Sequence, residues 1–165
     1  MKLKDNEREW CQKFNGVWRA LSGKRRAEFA ENVRADEDRL DALARCTARP
    51  GARLVVRIDQ YTKGKVPAEI VLGKFKALWL SIPIDERKAF AESIGSNLDY
   101  CNMIAHGRKP INLALAVRIE QVTRGKLRAE QLSPGKSPDN PLGFDWEYVR
   151  ASRVSQRAAG ATCNA

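Results

Sequence analysis

The chain has 165 residues, 43% hydrophobic and 30% charged, enough apolar material for one or two cores but with no run near the ~20 apolar residues of a membrane span. Residues 1–72 hold 16 basic and 11 acidic side chains and residues 73–165 hold 14 and 9, so each part carries +5 of the total +10 and the excess is no detachable tail. That balance suits a polyanionic partner, nucleic acid or an acidic membrane surface, and suits equally a solvated basic surface without a partner.

The apolar spacing predicts helices throughout. Trp10, Phe14, Val17, Trp18 and Leu21 form a first stripe at three- and four-residue steps. Ala27, Phe29, Ala30 and Val33 form a second, Leu40, Leu43 and Ala44 with Cys46 as an optional member a third, and Leu54, Val55, Ile58 and Tyr61 a fourth. The order then restarts more cleanly. Phe75, Leu78, Trp79 and Ile82 make a stripe that Pro83 breaks, and Asp85 is placed to cap the next helix. That helix turns Phe90, Ala91 and Ile94 inward and ends at Gly95. Ser96 or Asn97 caps a short helix through Ala105, closed by Gly107. Asn112 caps a helix with Leu113, Ala116, Val117, Ile119 and Val122, and Arg128 to Leu132 adds a turn. No alternating strand pattern of useful length occurs, although Lys65-Val66 and Lys126-Leu127 suit short extended pieces. Residues 133–142 are rich in Pro, Gly and Ser and read as a linker. Phe144, Trp146, Tyr148 and Val149 are apolar enough to dock on the body, and residues 151–165 have the composition of a disordered tail.

The restart is a repeat. At a shift of 61 residues, Phe14 and Trp18 fall on Phe75 and Trp79, and Phe29-Ala30-Glu31 on Phe90-Ala91-Glu92. Val56-Arg57-Ile58-Asp59-Gln60 falls on Val117-Arg118-Ile119-Glu120-Gln121, and Thr62-Lys63-Gly64-Lys65 on Thr123-Arg124-Gly125-Lys126. Between these anchors Ala35-Asp36-Glu37 reads as an insertion in the first copy, with the length regained around Arg108 to Asn112. The organisation expected is 1–72, a degenerate repeat; 73–134, a second repeat; and 135–165, linker and tail.

Cys11, Cys46, Cys101 and Cys163 are far apart, and His106 is the single histidine, so neither a closed metal site nor a disulfide framework is expected. The start Met1-Lys2-Leu3-Lys4-Asp5 lacks the apolar core of a signal peptide, and a cytoplasmic, nucleoid-associated protein is the default expectation. Without a nucleophile motif, a phosphate-binding glycine loop or a clustered His/Cys/Asp set, no enzyme and no cofactor is expected.

The most informative stretch runs from Phe90 to Pro110. Ala91 stands four residues before Gly95: a small side chain lets two helices cross closely, and a glycine turns between them, while Cys101 and Ile104 face back to the core. This is the spacing of a helix-turn-helix. The segment, with Ala114-Leu115-Ala116-Val117-Arg118-Ile119-Glu120-Gln121-Val122-Thr123-Arg124-Gly125-Lys126, resembles the Cro-like regulators of bacteria and phages, and within them the YdaS-like group. The resemblance covers about 60 residues of the second copy well and the first copy loosely. It implies an all-α fold of two tandem Cro-like helix-turn-helix bundles, each of four to five short helices, with 97–106 as the recognition helix in the major groove of double-stranded DNA.

With Cys101 and Ile104 inward, helical geometry turns Leu98, Asp99, Asn102, Met103 and His106 outward, and Asn97 sits at the helix start. Asn102 suits the paired bond to adenine, Met103 or Leu98 a thymine methyl, and Asp99 a cytosine amino group unless it points away from the phosphates. His106 reads more simply as a surface residue near a helix end. Arg108 and Lys109 suit phosphates and register. In the first copy Arg34 replaces the turn glycine and acid crowds Ala35-Asp36-Glu37-Asp38, while Arg39, Arg45, Arg49 and Arg53 offer a basic stripe for weaker, phosphate-directed contact. The function expected is a sequence-specific transcription regulator acting as a pseudo-dimer or through a homodimer. The alternative is a protein–protein module, an antitoxin or anti-activator that uses the same scaffold on a regulatory protein partner. An architectural DNA-binding protein is a third reading.

Overall fold

The computed structural model describes residues 3–133, and among them the chain is all-helical, with ten helices and no strand. The helices are α1 (Asp5–Arg19), α2 (Gly23–Val33), α3 (Glu37–Ala44), α4 (Ala52–Tyr61), α5 (Glu69–Leu72), α6 (Lys74–Ser81), α7 (Arg87–Ser93), α8 (Leu98–Ala105), α9 (Leu113–Val122) and α10 (Ala129–Leu132). The chain divides into two compact units, Met1–Lys109 and Pro110–Ala165. The repeat-based division at 72/73 follows sequence similarity; the compact division follows packing, because α4 and α6 lie against each other in the first unit. The linker, the docking aromatics Phe144, Trp146, Tyr148 and Val149, and the tail lie outside the described residues. Among the described residues no helix is long and apolar enough to cross a membrane.

The core of the first unit is organised by one aromatic column. Trp10, Phe14 and Trp18 recur every four residues on α1, so one face of a 3.6-residue helix carries all three. Their rings stack at 5.5 and 5.9 Å, and Phe29 of α2 meets Trp18 edge-on at 5.6 Å. Val33, Leu40, Leu43, Val55 and Ile58 complete the layer. α1 packs on α3 and α5, α2 on α3 and α4, α6 on α5 and α8, and α7 on α8. In the second unit α9 packs on α10 through Ala116, Val117 and Ala129, with Ile111 and Leu132 beside them. Asn112 caps α9 by accepting from the Leu115 N–H at 2.8 Å, as its position before the apolar run predicts.

Local features recur at the 61-residue shift without a gap. Left-handed residues stand at Arg34 and Gly95, at Cys46 and Gly107, and at Lys63-Gly64 and Arg124-Gly125. Asp36 and Asn97 cap α3 and α8, each accepting from the N–H three residues on at 2.8 Å. The hydroxyls of Thr62 and Thr123 each donate to the carbonyl four residues back at 2.7 Å. Asp59 and Glu120 each accept from the N–H nine residues ahead, of Ala68 and Ala129, at 3.0 Å. The expected insertion at Ala35-Asp36-Glu37 is therefore corrected. Arg34 takes the left-handed conformation despite its Cβ, at a cost of about 1–2 kcal/mol, so its turn has the same length as the one at Gly95.

Two smaller expectations also change. Asp85 does not cap: α7 begins at Arg87 behind Glu86, and no side chain bonds its first turn. Lys65-Val66 and Lys126-Leu127 form no strand, because each threonine hydroxyl folds the chain back onto its helix end.

Candidate nucleic-acid interface

The α7–α8 corner is built from small and buried residues. Ala91 is fully buried, Gly95 adopts φ 64°, and the Gly95 and Ser96 N–H groups donate to the Glu92 and Ala91 carbonyls at 2.9 Å. A side chain larger than Ala91 would hold the two helices apart. Ile94, Cys101 and Ile104 are buried behind the turn. Burial pushes the Cys101 thiol up in pKa, against a hydrogen bond with Ser96 that pulls it down. These contacts set the rotation of α8.

That rotation leaves Asn97, Leu98, Asp99, His106, Arg108 and Lys109 exposed, with Leu98 at 38% a large apolar group open to solvent. Met103 is half-buried. Asn97 is the helix cap: its side-chain oxygen accepts from the Tyr100 N–H, and its amide hydrogens remain available on an exposed side chain.

Asn102 is not the free outward amide that the helical projection predicts. It is half-buried, and its Oδ1 accepts from Trp79 Nε1 at 2.9 Å. The paired bond to adenine needs the oxygen and the amide hydrogens together at the surface, and the structure instead holds the oxygen of the half-buried Asn102 on the indole. An unpartnered N–H on the buried Trp79 would cost stability, and Asn102 supplies its acceptor. The repeat carries the signal for this pair: Trp18 and Asp41 are also 23 residues apart, and Trp18 Nε1 donates to Asp41 Oδ1.

The first copy uses the same local frame with one more acidic side chain in the first turn of its second helix. Glu37 and Asp38 are exposed in the first turn of α3, at the places where α8 carries Leu98 and Asp99. The expected stripe of Arg39, Arg45, Arg49 and Arg53 is also corrected. Arg39 and Arg45 are exposed on α3 and at its end. Arg49 instead pairs with the largely buried Glu7 at 3.3 Å, which sets it against the start of α1. Arg53 lies on α4 and lines a cleft with Arg57 and Arg87, two residues that the sequence pattern did not single out. Different neighbours hold these arginines because α3 and α4 are separate helices joined through the left-handed Cys46.

Among the described residues no group of three or more His, Cys, Asp or Glu side chains is placed to hold a metal ion. Comparison with protein-family models, with curated proteins and with solved structures finds no match to this chain.

Proposed function

We propose that the chain is a sequence-specific duplex-DNA-binding regulator of Cro-like, YdaS-like type, with α8 as its major-groove helix. The observation that carries this reading is the α7–Gly95–α8 corner. A short helix follows a left-handed glycine turn, its exposed first turn holds a polar cap and an apolar side chain, and Arg108 and Lys109 follow its end. In this reading the Asn97 amide hydrogens and Leu98 meet base edges, Leu98 through a thymine methyl, and Asp99 accepts from a cytosine amino group. Arg108 and Lys109 bind phosphates and fix register. The net charge of +10 supplies the salt-dependent part of the affinity.

The test is selection of bound fragments from random duplex DNA, followed by salt titration of the enriched site. An enriched sequence is expected, with affinity falling steeply as salt rises. Arg108→Ala and Lys109→Ala are each expected to lower the salt slope by about 1 without changing the preferred sequence. Binding that ignores salt, or a pool without enrichment, overturns the proposal.

A second reading has its own observation. The exposed Glu37 and Asp38 on α3 repel phosphate and suit contact with a protein, so a protein–protein role of the antitoxin or anti-activator kind fits the first copy better than the second.

A further inference from the structure

Within the first unit, α4 and the corner between α6 and α7 enclose a cleft of about 360 Å³, a volume suited to one or two side chains. Its basic lining is Arg53 and Arg57, one helical turn apart on α4, and Arg87 at the start of α7. Its apolar lining includes Val56, Ile82 and Ile84, and Ile84 is 73% exposed. No carboxylate lines it; Asp85 and Glu86 follow Ile84 in the chain and are exposed outside it.

The three arginines differ in how they are held. Arg57 donates to the Val33 carbonyl at 3.2 Å. Arg87 donates from Nε to the Ile82 carbonyl at 3.1 Å, and its guanidinium lies over the Trp79 ring at 5.5 Å. Arg53 is exposed and makes no hydrogen bond or ion pair among the described residues. Burial, and then the charge of Arg53, lower the pKa of Arg87, so two like charges converge on one wall with no anion between them. An entering carboxylate relieves that repulsion and can meet a guanidinium through two parallel bonds.

We propose that this cleft docks a segment of a partner protein in which a carboxylate stands beside a bulky apolar side chain. The carboxylate meets Arg53 and Arg87, and the apolar group covers Ile82 and Ile84. The site favours protein over nucleic acid because it is concave and its wall includes the exposed Ile84, which contact with a phosphate backbone would leave uncovered. The proposal does not depend on α8 reading DNA.

The experiment titrates the full chain with a labelled pool of end-blocked seven-residue peptides in which Asp or Glu alternates with Leu, Ile or Phe, read by fluorescence anisotropy. A matched pool carries Asn and Gln in place of the acids. Binding of the acidic pool is expected, at least tenfold tighter than the amide pool. Arg53→Glu is expected to weaken it tenfold or more, and Ile84→Ser severalfold, with both variants melting as the parent does because both side chains are exposed. No binding, equal binding of the two pools, or an unchanged affinity in Arg53→Glu overturns the proposal. So does an Arg53→Glu variant that loses affinity for duplex DNA while keeping its affinity for the peptides.

Discussion

The α2–α3 corner and the α7–α8 corner share a local design and differ in what they present. Each has a left-handed residue at its turn, a short side chain capping its second helix, and an indole N–H bonded to the fifth residue of that helix. At the first corner the indole partner is the carboxylate of Asp41, and Glu37 and Asp38 face solvent. At the second it is the amide of Asn102, and Leu98 and Asp99 face solvent. The backbone at such a corner is set by turn and cap. The surface is set by side chains that the turn does not constrain, so the two can diverge in partner while keeping one local geometry.

The largest way to break this comparison is at the indoles. Trp18→Ala is expected to cost about 3–5 kcal/mol, measured by urea denaturation. Trp79→Ala should cost less: each ring packs on two phenylalanines, but the Trp18 N–H meets a charged acceptor and the Trp79 N–H a neutral amide. The reverse order would show that the carboxylate-bonded indole is not the stronger anchor. Next, Leu98→Glu gives α8 the charge of α3. It should weaken binding of the selected duplex about tenfold, about 1.4 kcal/mol, with the melting temperature unchanged. Undiminished affinity would remove α8 from the interface.

Asn102 sharpens the comparison further. Asn102→Ala strands the Trp79 N–H and should lower stability by about 1–3 kcal/mol, whereas Asn102→Asp recreates the first corner's pair and should stay near the parent. Equal losses in a thermal melt would show that the bond to Trp79 contributes little. At the turns, Arg34→Gly should stabilise by about 0.5–1 kcal/mol and Gly95→Ala should destabilise by about 1 kcal/mol or more, both read from denaturant midpoints.

The smallest effect near neutral pH concerns the thiols. The turn after α3 brings Cys46, which stands where Gly107 follows α8, close to Cys11. Burial and then the neighbouring Cys46 push the Cys11 thiol up from 9.0 to about 12. The unfolded chain then releases that proton first, so stability is unaffected below pH 9 and declines as pH rises from 9 toward 12. Cys11→Ala should flatten that decline in denaturation series across the alkaline range; an unchanged slope would assign it to other groups.

Much of the site is legible in the sequence. The Ala91-to-Gly95 spacing, the Asn97 and Asn112 caps and the buried Cys101 and Ile104 all follow from patterns within a few residues. Arg34 was the point where reading by residue type failed. Residue types diverge after it, which makes Ala35-Asp36-Glu37 read as an insertion, yet Arg34 takes the left-handed conformation and Asp36 caps α3, so the turn keeps its length.

Helix periodicity, the Asn97 and Asn112 caps and the 61-residue repeat are properties of neighbouring or aligned residues, and the sequence by itself determined them. Tertiary structure alone decided which polar groups meet across helices. Trp79 takes the carbonyl of Asn102, Glu7 takes Arg49, and α4 with the α6–α7 corner gathers Arg53, Arg57 and Arg87 around one cleft. The physical reason is that a helix's spacing states which face a side chain occupies, while hydrogen-bond and charge satisfaction depends on whatever the packed chain brings to that face.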